Sequence, residues 1–166
     1  MGSVKNKYSV LVIDDQGNWR ELLAEILEGQ FEVISASSYN EALEAIRNQE
    51  SPFHVLVTDM RLVDDKAGNE DGLKLIEYLN RRGDETKTIV LTGYATIDTT
   101  KRALSHLAAF DYLEKRPSDG SPFDTKGFQQ IVYQAAVEAE KKRPDGLTDV
   151  TQNILLLEPD PVWRKK

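Results

Sequence analysis

With 166 residues, 40% of them hydrophobic and 30% charged, the chain suits one domain with a full core and some excess. Lys and Arg number 21 against 28 Asp and Glu, and the net charge of -7 disfavours direct binding to nucleic acid, which needs a basic face. Cysteine is absent, which excludes disulfides, thiolate metal sites and Cys nucleophiles, and no apolar run approaches the length of a membrane span. These features together read as a cytoplasmic protein with no membrane role.

Apolar runs of strand length alternate with amphipathic helical stretches along the chain. Residues 8–13 are the first predicted strand, followed by a helix with Trp19, Leu22, Leu23, Ile26 and Leu27 on one face. Gly29 closes that helix, and residues 31–34 form a short second strand. Ser38 and Glu41 have the spacing of a capping box for a helix presenting Ala42, Leu43, Ala45 and Ile46. Residues 54–58 make a third strand that ends on Asp59, and a polar loop leads to a helical pattern over 73–79. Residues 88–91 are the fourth strand, with a helix over 97–107 behind it, and 110–113 are the fifth. Ser121, Pro122 and Asp124 supply an N-cap, a first-position proline and a third-position acid for a last helix reaching Lys141.

Strict alternation of strand and helix implies an α/β fold, with parallel strands, right-handed crossovers and helices on both faces. The strands are apolar throughout, as expected when both faces are covered. Ligands of such sheets sit beyond the carboxyl ends of the strands. The first strand exits into Asp14 and Asp15, the third into Asp59, the fourth into Thr92 and Gly93, and the fifth into Lys115. Neighbouring strands lie about 4.8 Å apart, so residues from adjacent exits can converge on one small volume. Three carboxylates there would repel, and one would have to take up a proton unless a cation were present. Mg2+ relieves this, since it favours a few carboxylates together with waters and phosphate oxygens. Lys115 adds a positive point charge for a phosphoryl oxygen, and Thr92 adds a hydroxyl. These are the parts that phosphoryl transfer calls for, because its catalysis is mostly positioning and charge neutralisation. Taken singly, the residues have blander readings: an Asp pair before a helix caps it, Thr92 serves a turn, and Tyr112 belongs to a core or interface. His54 and His106 have no partner at metal spacing and read as structural or solvated.

Residues 10–15 (Val-Leu-Val-Ile-Asp-Asp), 55–60 (Val-Leu-Val-Thr-Asp-Met), 91–95 (Leu-Thr-Gly-Tyr-Ala) and 111–115 (Asp-Tyr-Leu-Glu-Lys) resemble the response-regulator receiver domain of two-component signalling. The resemblance covers residues 7–142. It implies a doubly wound, flavodoxin-like fold with a five-stranded parallel sheet of order 2-1-3-4-5 and five helices. It further implies that Asp59 is the phosphoacceptor, Asp15 the direct metal ligand with Asp14 nearby, and the backbone carbonyl of Arg61 a further ligand to Mg2+ or Mn2+. Thr92 and Lys115 would bind the phosphoryl group, Arg61 and Tyr94 would flank it, and Tyr112 would be the aromatic that turns inward on activation. The implied donor is a histidine kinase or phosphotransfer protein. The implied output is the surface of the fourth helix, fifth strand and fifth helix, read through a homodimer. Such a module is a switch, without turnover on a separate substrate.

Three features depart from the family pattern. Val63 stands where a Pro usually follows the acceptor. The glycine usual eight residues after the acceptor is Gly72, thirteen after Asp59, so the intervening acidic loop is about five residues longer than usual. Arg116 separates Lys115 from Pro117, so the family's cis peptide would have to shift to Arg116-Pro117 or be lost. A phosphatase of the haloacid dehalogenase type wants Asp-x-Asp-x-Thr after its first strand, which residues 14–18 do not supply. A flavin carrier wants a Ser/Thr/Gly-rich phosphate loop where the acidic pair stands. A phosphorylation-independent pseudo-receiver is the remaining alternative.

Beyond the last helix, residues 143–152 read as a linker, with Pro144 and Gly146 as punctuation. Residues 153–164 then repeat residues 9–20 without gaps, placing Glu158 on Asp14 and Trp163-Arg164 on Trp19-Arg20. Residues 153–166 therefore read as the truncated start of a second receiver-like module, with Pro159 in place of the acid equivalent to Asp15.

Overall fold

The computed structural model describes residues 8–62, 68–93 and 95–143. Five strands, β1 (Tyr8–Ile13), β2 (Phe31–Ala36), β3 (Val55–Thr58), β4 (Lys87–Thr92) and β5 (Asp111–Glu114), form one sheet in the order β2-β1-β3-β4-β5. Every pairing is parallel. The connections are α1 (Gly17–Leu27), α2 (Tyr39–Asn48), α3 (Asp71–Arg82) and α4 (Ile97–Lys101), and α5 (Thr125–Lys141) follows β5. Among the described residues no helix is long and apolar enough to cross a membrane.

The pleat of each inner strand divides its apolar residues between two cores. Leu11, Ile13, Leu56 and Val90 face α2 and α3, where they meet Ala42, Ile46, Leu75, Ile76 and Leu79. Val10, Val12, Val55, Val57, Ile89 and Leu91 face α1 and α5, against Trp19, Leu23, Leu27, Phe128 and Val132. Each large aliphatic side chain withdrawn from water in this way contributes about 1.5–3 kcal/mol, which is why the strands are apolar on both faces.

Local chemistry shifts several element ends from the sequence expectation. Ser38 accepts the Glu41 N–H at 3.1 Å as expected, but the Glu41 carboxylate accepts from Ser37, N–H and hydroxyl, instead of closing the box on Ser38. The last helix begins later than expected. Asp124 is its N-cap, accepting the Gly127 N–H at 2.9 Å, while the Ser121 hydroxyl donates to Asp119. The physical reason is Phe123, whose ring lies 5.4 Å from Trp19 and 5.7 Å from Phe128, holding residues 121–123 outside the helix.

The stretch after α4 also differs. Residues 102–106 widen into a π-turn in which the Leu107 N–H reaches the Arg102 carbonyl at 3.0 Å. Ala108 then takes φ 56, a left-handed conformation that costs a non-glycine residue about 1–2 kcal/mol, and this reversal feeds the chain into β5.

At the amino end of the sheet, His54 is buried between β1 and α5. Its Nδ1 accepts the Ser9 backbone N–H at 3.1 Å, so the ring proton resides on Nε2, 2.7 Å from the Glu140 carboxylate. Arg143 completes this clamp by donating to the Pro52 carbonyl.

Candidate functional site

Strand register brings the candidate residues together. Ile13 pairs with Thr58 and Thr92 with Glu114, so Asp14 and Asp59 leave adjacent strands side by side and Lys115 follows directly after β5. Backbone bonds extend this register past the strand ends: Asp59 N–H to the Ile13 carbonyl at 3.1 Å, and Lys115 N–H to the Thr92 carbonyl at 3.0 Å. Asp14, Asp59, Thr92 and Lys115 are all at most 3% exposed.

The Lys115 ammonium lies 2.7 Å from Asp14 Oδ2 and 2.8 Å from Asp59 Oδ2, with the Trp19 ring 5.1 Å beneath it. Burial pushes the Asp14 carboxyl up from its ordinary value, opposed by the hydrogen bond and charge of Lys115 and by the Gln16 N–H. Burial pulls the Lys115 ammonium down, but the two carboxylates outweigh it and hold the ammonium above its ordinary value. Carboxylate oxygens of Asp14, Asp15 and Asp59 lie within 4.8 Å of one another. Three hard oxygen donors at that spacing fit a small divalent cation such as Mg2+, whose charge would offset the two carboxylates that one lysine leaves uncompensated.

Further residues complete the surroundings, among them Arg20, Gln16, Asn69, Glu70 and Arg102, to which the sequence reading gave no place in the site. Arg20 donates to the Asp14 carbonyl at 2.8 Å, and the Gln16 N–H donates to Asp14 Oδ1 at 2.9 Å, so Asp14 also serves the start of α1. Arg61 N–H points at Asp59 Oδ1 at 3.4 Å. Gly72 packs on the acceptor strand: its N–H donates to the Met60 carbonyl at 2.9 Å, and a Cβ there would fall 1.9 Å from the Asp59 carbonyl oxygen. The acidic loop is closed at its neck by Asn69, whose Oδ1 accepts the N–H groups of Leu62 at 3.0 Å and Asp71 at 3.2 Å. Glu70, next in the chain, forms a two-pronged pair with Arg102 at 2.8 and 2.9 Å, joining this neck to the end of α4. Tyr112 packs its ring against the α2–α3 side core and shares a 2.9 Å hydrogen bond with the Thr99 hydroxyl of α4.

The inserted Arg116 does not displace Lys115 from the carboxylates, and no described peptide bond is cis. Strand register explains this, because the Lys115 N–H is fixed to β4 before Arg116 is reached. Tyr94, Val63, the acidic run 64–67, all but the first residue of the 143–152 linker, and the repeat over 153–166 lie outside the described residues.

Residues 10–121 match the family profile described as the response regulator receiver domain, and the chain belongs to that family. It is 31% identical over 159 residues to the response regulator protein PilR of Pseudomonas aeruginosa, covering 95% of this chain and 32% of PilR. It is 38% identical over 112 residues to the acid tolerance regulatory protein ActR of Sinorhizobium medicae, covering 67% of this chain and 53% of ActR. The chain therefore spans about a third to a half of these relatives. Among solved structures, the beryllofluoride-activated NtrC4 receiver domain dimer superposes with TM-score 0.65 at 28% identity, over 79% of this chain and 98% of that one. A receiver domain protein from Clostridium thermocellum superposes with TM-score 0.67 at 23% identity, over 82% and 99%.

Proposed function

We propose that this receiver accepts a phosphoryl group on Asp59 from a histidine kinase or phosphotransfer protein, in a reaction that needs Mg2+ or Mn2+. The observation that carries this reading is the Asp59 carboxylate, 2% exposed, with the Lys115 ammonium 2.8 Å away and two further carboxylates close enough to share a cation. The cation, when bound by Asp14, Asp15, Asp59 and the Arg61 carbonyl, supplies positive charge to the transferring phosphoryl oxygens. Asp59 attacks through a carboxylate oxygen, its carboxylate held by Lys115 at Oδ2 and by the Arg61 N–H at Oδ1. Lys115 is then available to a phosphoryl oxygen, and Thr92, at the same depth, offers its hydroxyl.

The receiver unit spans residues 7–142. Its response travels from Thr92 to Tyr112, whose phenol is tied to Thr99, and so to the surface of α4, β5 and α5. Ile97 of α4 stands 89% exposed on that surface, which suits a homodimer contact. Arg61, two residues after Asp59, and Tyr94, two after Thr92, hold the sequence positions where the family places side chains flanking the phosphoryl group, and they slow hydrolysis by hindering in-line water.

Intact mass after exposure to acetyl phosphate tests the central claim. One added phosphoryl group is expected with Mg2+, and none with EDTA or in Asp59→Asn. Mass gain in that variant, or indifference to EDTA, would refute it. Sedimentation with and without beryllofluoride tests the dimer, and identical association in both would remove that part.

A further inference from the structure

Arg116 has no counterpart in the Lys-Pro pattern, and its position is specific. Its guanidinium lies beside Gly93, with Nη1 3.6 Å from where a Cβ on Gly93 would stand, an ordinary van der Waals contact. Gly93 directly follows the buried Thr92, and the Lys115 N–H binds the Thr92 carbonyl at 3.0 Å, so Arg116 is held where the β4 and β5 exits meet. Gly93 and Arg116 are both exposed, while Thr92 and Lys115 beside them are buried, which places the guanidinium on the solvent side of the site. Among the described residues Arg116 enters no ion pair. Arg102, by contrast, is engaged by Glu70, and Arg20 by the Asp14 carbonyl.

The electrostatics give this position a use. A phosphodonor is an anion, and it approaches three clustered carboxylates of which Lys115 offsets one. A guanidinium at the entrance attracts the donor and can grip two phosphate oxygens at once. We propose that Arg116 is a donor-capturing residue, binding the phosphate oxygens of an incoming phosphodonor before Asp59 reacts. This inference rests on the reading of Asp59 as acceptor. With acetyl phosphate, an Asp59 carboxylate oxygen bonds to phosphorus as the bond from phosphorus to the acetyl oxygen breaks. Acetate departs with the electron pair, and no proton needs to move. Arg116 takes no part in that exchange and acts on encounter.

The test follows phosphorylation of the full chain by intact mass at several acetyl phosphate concentrations in Mg2+, for wild type, Arg116→Lys and Arg116→Ala. At low ionic strength the second-order rate constant should fall about three- to tenfold in Arg116→Ala and much less in Arg116→Lys. The deficit should shrink as salt screens the guanidinium over about 10 Å or less. Dephosphorylation after donor removal should stay within about twofold of wild type, because capture precedes the chemistry. Equal rate constants in wild type and Arg116→Ala would overturn the proposal, as would a deficit that salt leaves unchanged. Faster dephosphorylation at an unaltered phosphorylation rate would also overturn it, making Arg116 a shield instead. If wild type itself gains no mass, the acceptor reading fails first; if wild type reacts and the variants match it, only the role of Arg116 fails.

Discussion

Gly72→Ala should damage the fold at the acceptor itself. The new Cβ would stand 1.9 Å from the Asp59 carbonyl oxygen, 2.9 Å from the Asp59 carbonyl carbon and 3.0 Å from Met60 Cα. All three are backbone atoms, so no side-chain rotation relieves the overlap. Ordinary carbon–oxygen contact needs about 3.4 Å, and α3 or the end of β3 would have to move by roughly 1.5 Å. That shift strains or breaks the 2.9 Å bond from Gly72 N–H to the Met60 carbonyl. Overpacking of this kind costs about 1–3 kcal/mol and a lost buried hydrogen bond about 1 kcal/mol, against about 1 kcal/mol gained in helix propensity. A net loss of about 1–3 kcal/mol is expected, against the roughly 5–15 kcal/mol available to a domain. Urea denaturation followed by far-ultraviolet circular dichroism measures it. Because the displaced atoms carry Asp59, the phosphorylation rate of the folded variant should fall as well. A loss below about 0.5 kcal/mol together with wild-type phosphorylation would refute the reasoning.

His54 should make stability depend on mild acid. Burial holds its pKa below the ordinary value, opposed by Glu140 and reinforced by Arg143, with Tyr8 and Tyr133 packed nearby. The unfolded chain therefore takes up the proton first as pH falls. Stability from the neutral ring is complete above about pH 6.5 and is lost toward the lower folded pKa, with a slope of at most about 1.4 kcal/mol per pH unit. His54→Asn should flatten the urea midpoint between pH 7 and 5.5; parallel curves for the two proteins would contradict this. Ala108→Gly should stabilise by about 0.5–1 kcal/mol, because glycine accepts the left-handed backbone without strain. An unchanged or lower thermal midpoint would show that Ala108 is not strained.

The identity of the five strands was legible because apolar runs and amphipathic stretches differ in period, and β1, β3 and β4 are buried on both faces, while their order in the sheet came from the family resemblance. The site was legible because parallel register leaves little choice: residues just past adjacent strand ends must converge. The missed features depend on contacts between elements distant in sequence. The start of α5 turned on Phe123 meeting Trp19, and no local signal ranks Asp124 above Ser121 as the cap. The π-turn after α4 follows an ordinary helical pattern. Nor does anything near residue 70 or 102 announce the pair of Glu70 with Arg102, which joins elements 32 residues apart. Trp19 was legible as a core residue, but its place beneath the Lys115 ammonium required the fold.

Asn69 gives the acidic loop a drawstring. By holding the N–H groups of Leu62 and Asp71 on one carbonyl oxygen, it fixes both ends of the excursion independently of what lies between them. Closing a longer loop adds only about 0.6 kcal/mol for each doubling of its length. The interval 63–68 is therefore a natural insertion point, where a peptide tag, a protease site or a fluorescent label could be spliced into the chain a few residues from Asp59. Such a graft would report on the neighbourhood of the acceptor while leaving the strands that position it intact. The same freedom shows how the chain can carry a longer loop here than its family usually does, with Gly72 still seated on the Asp59 carbonyl.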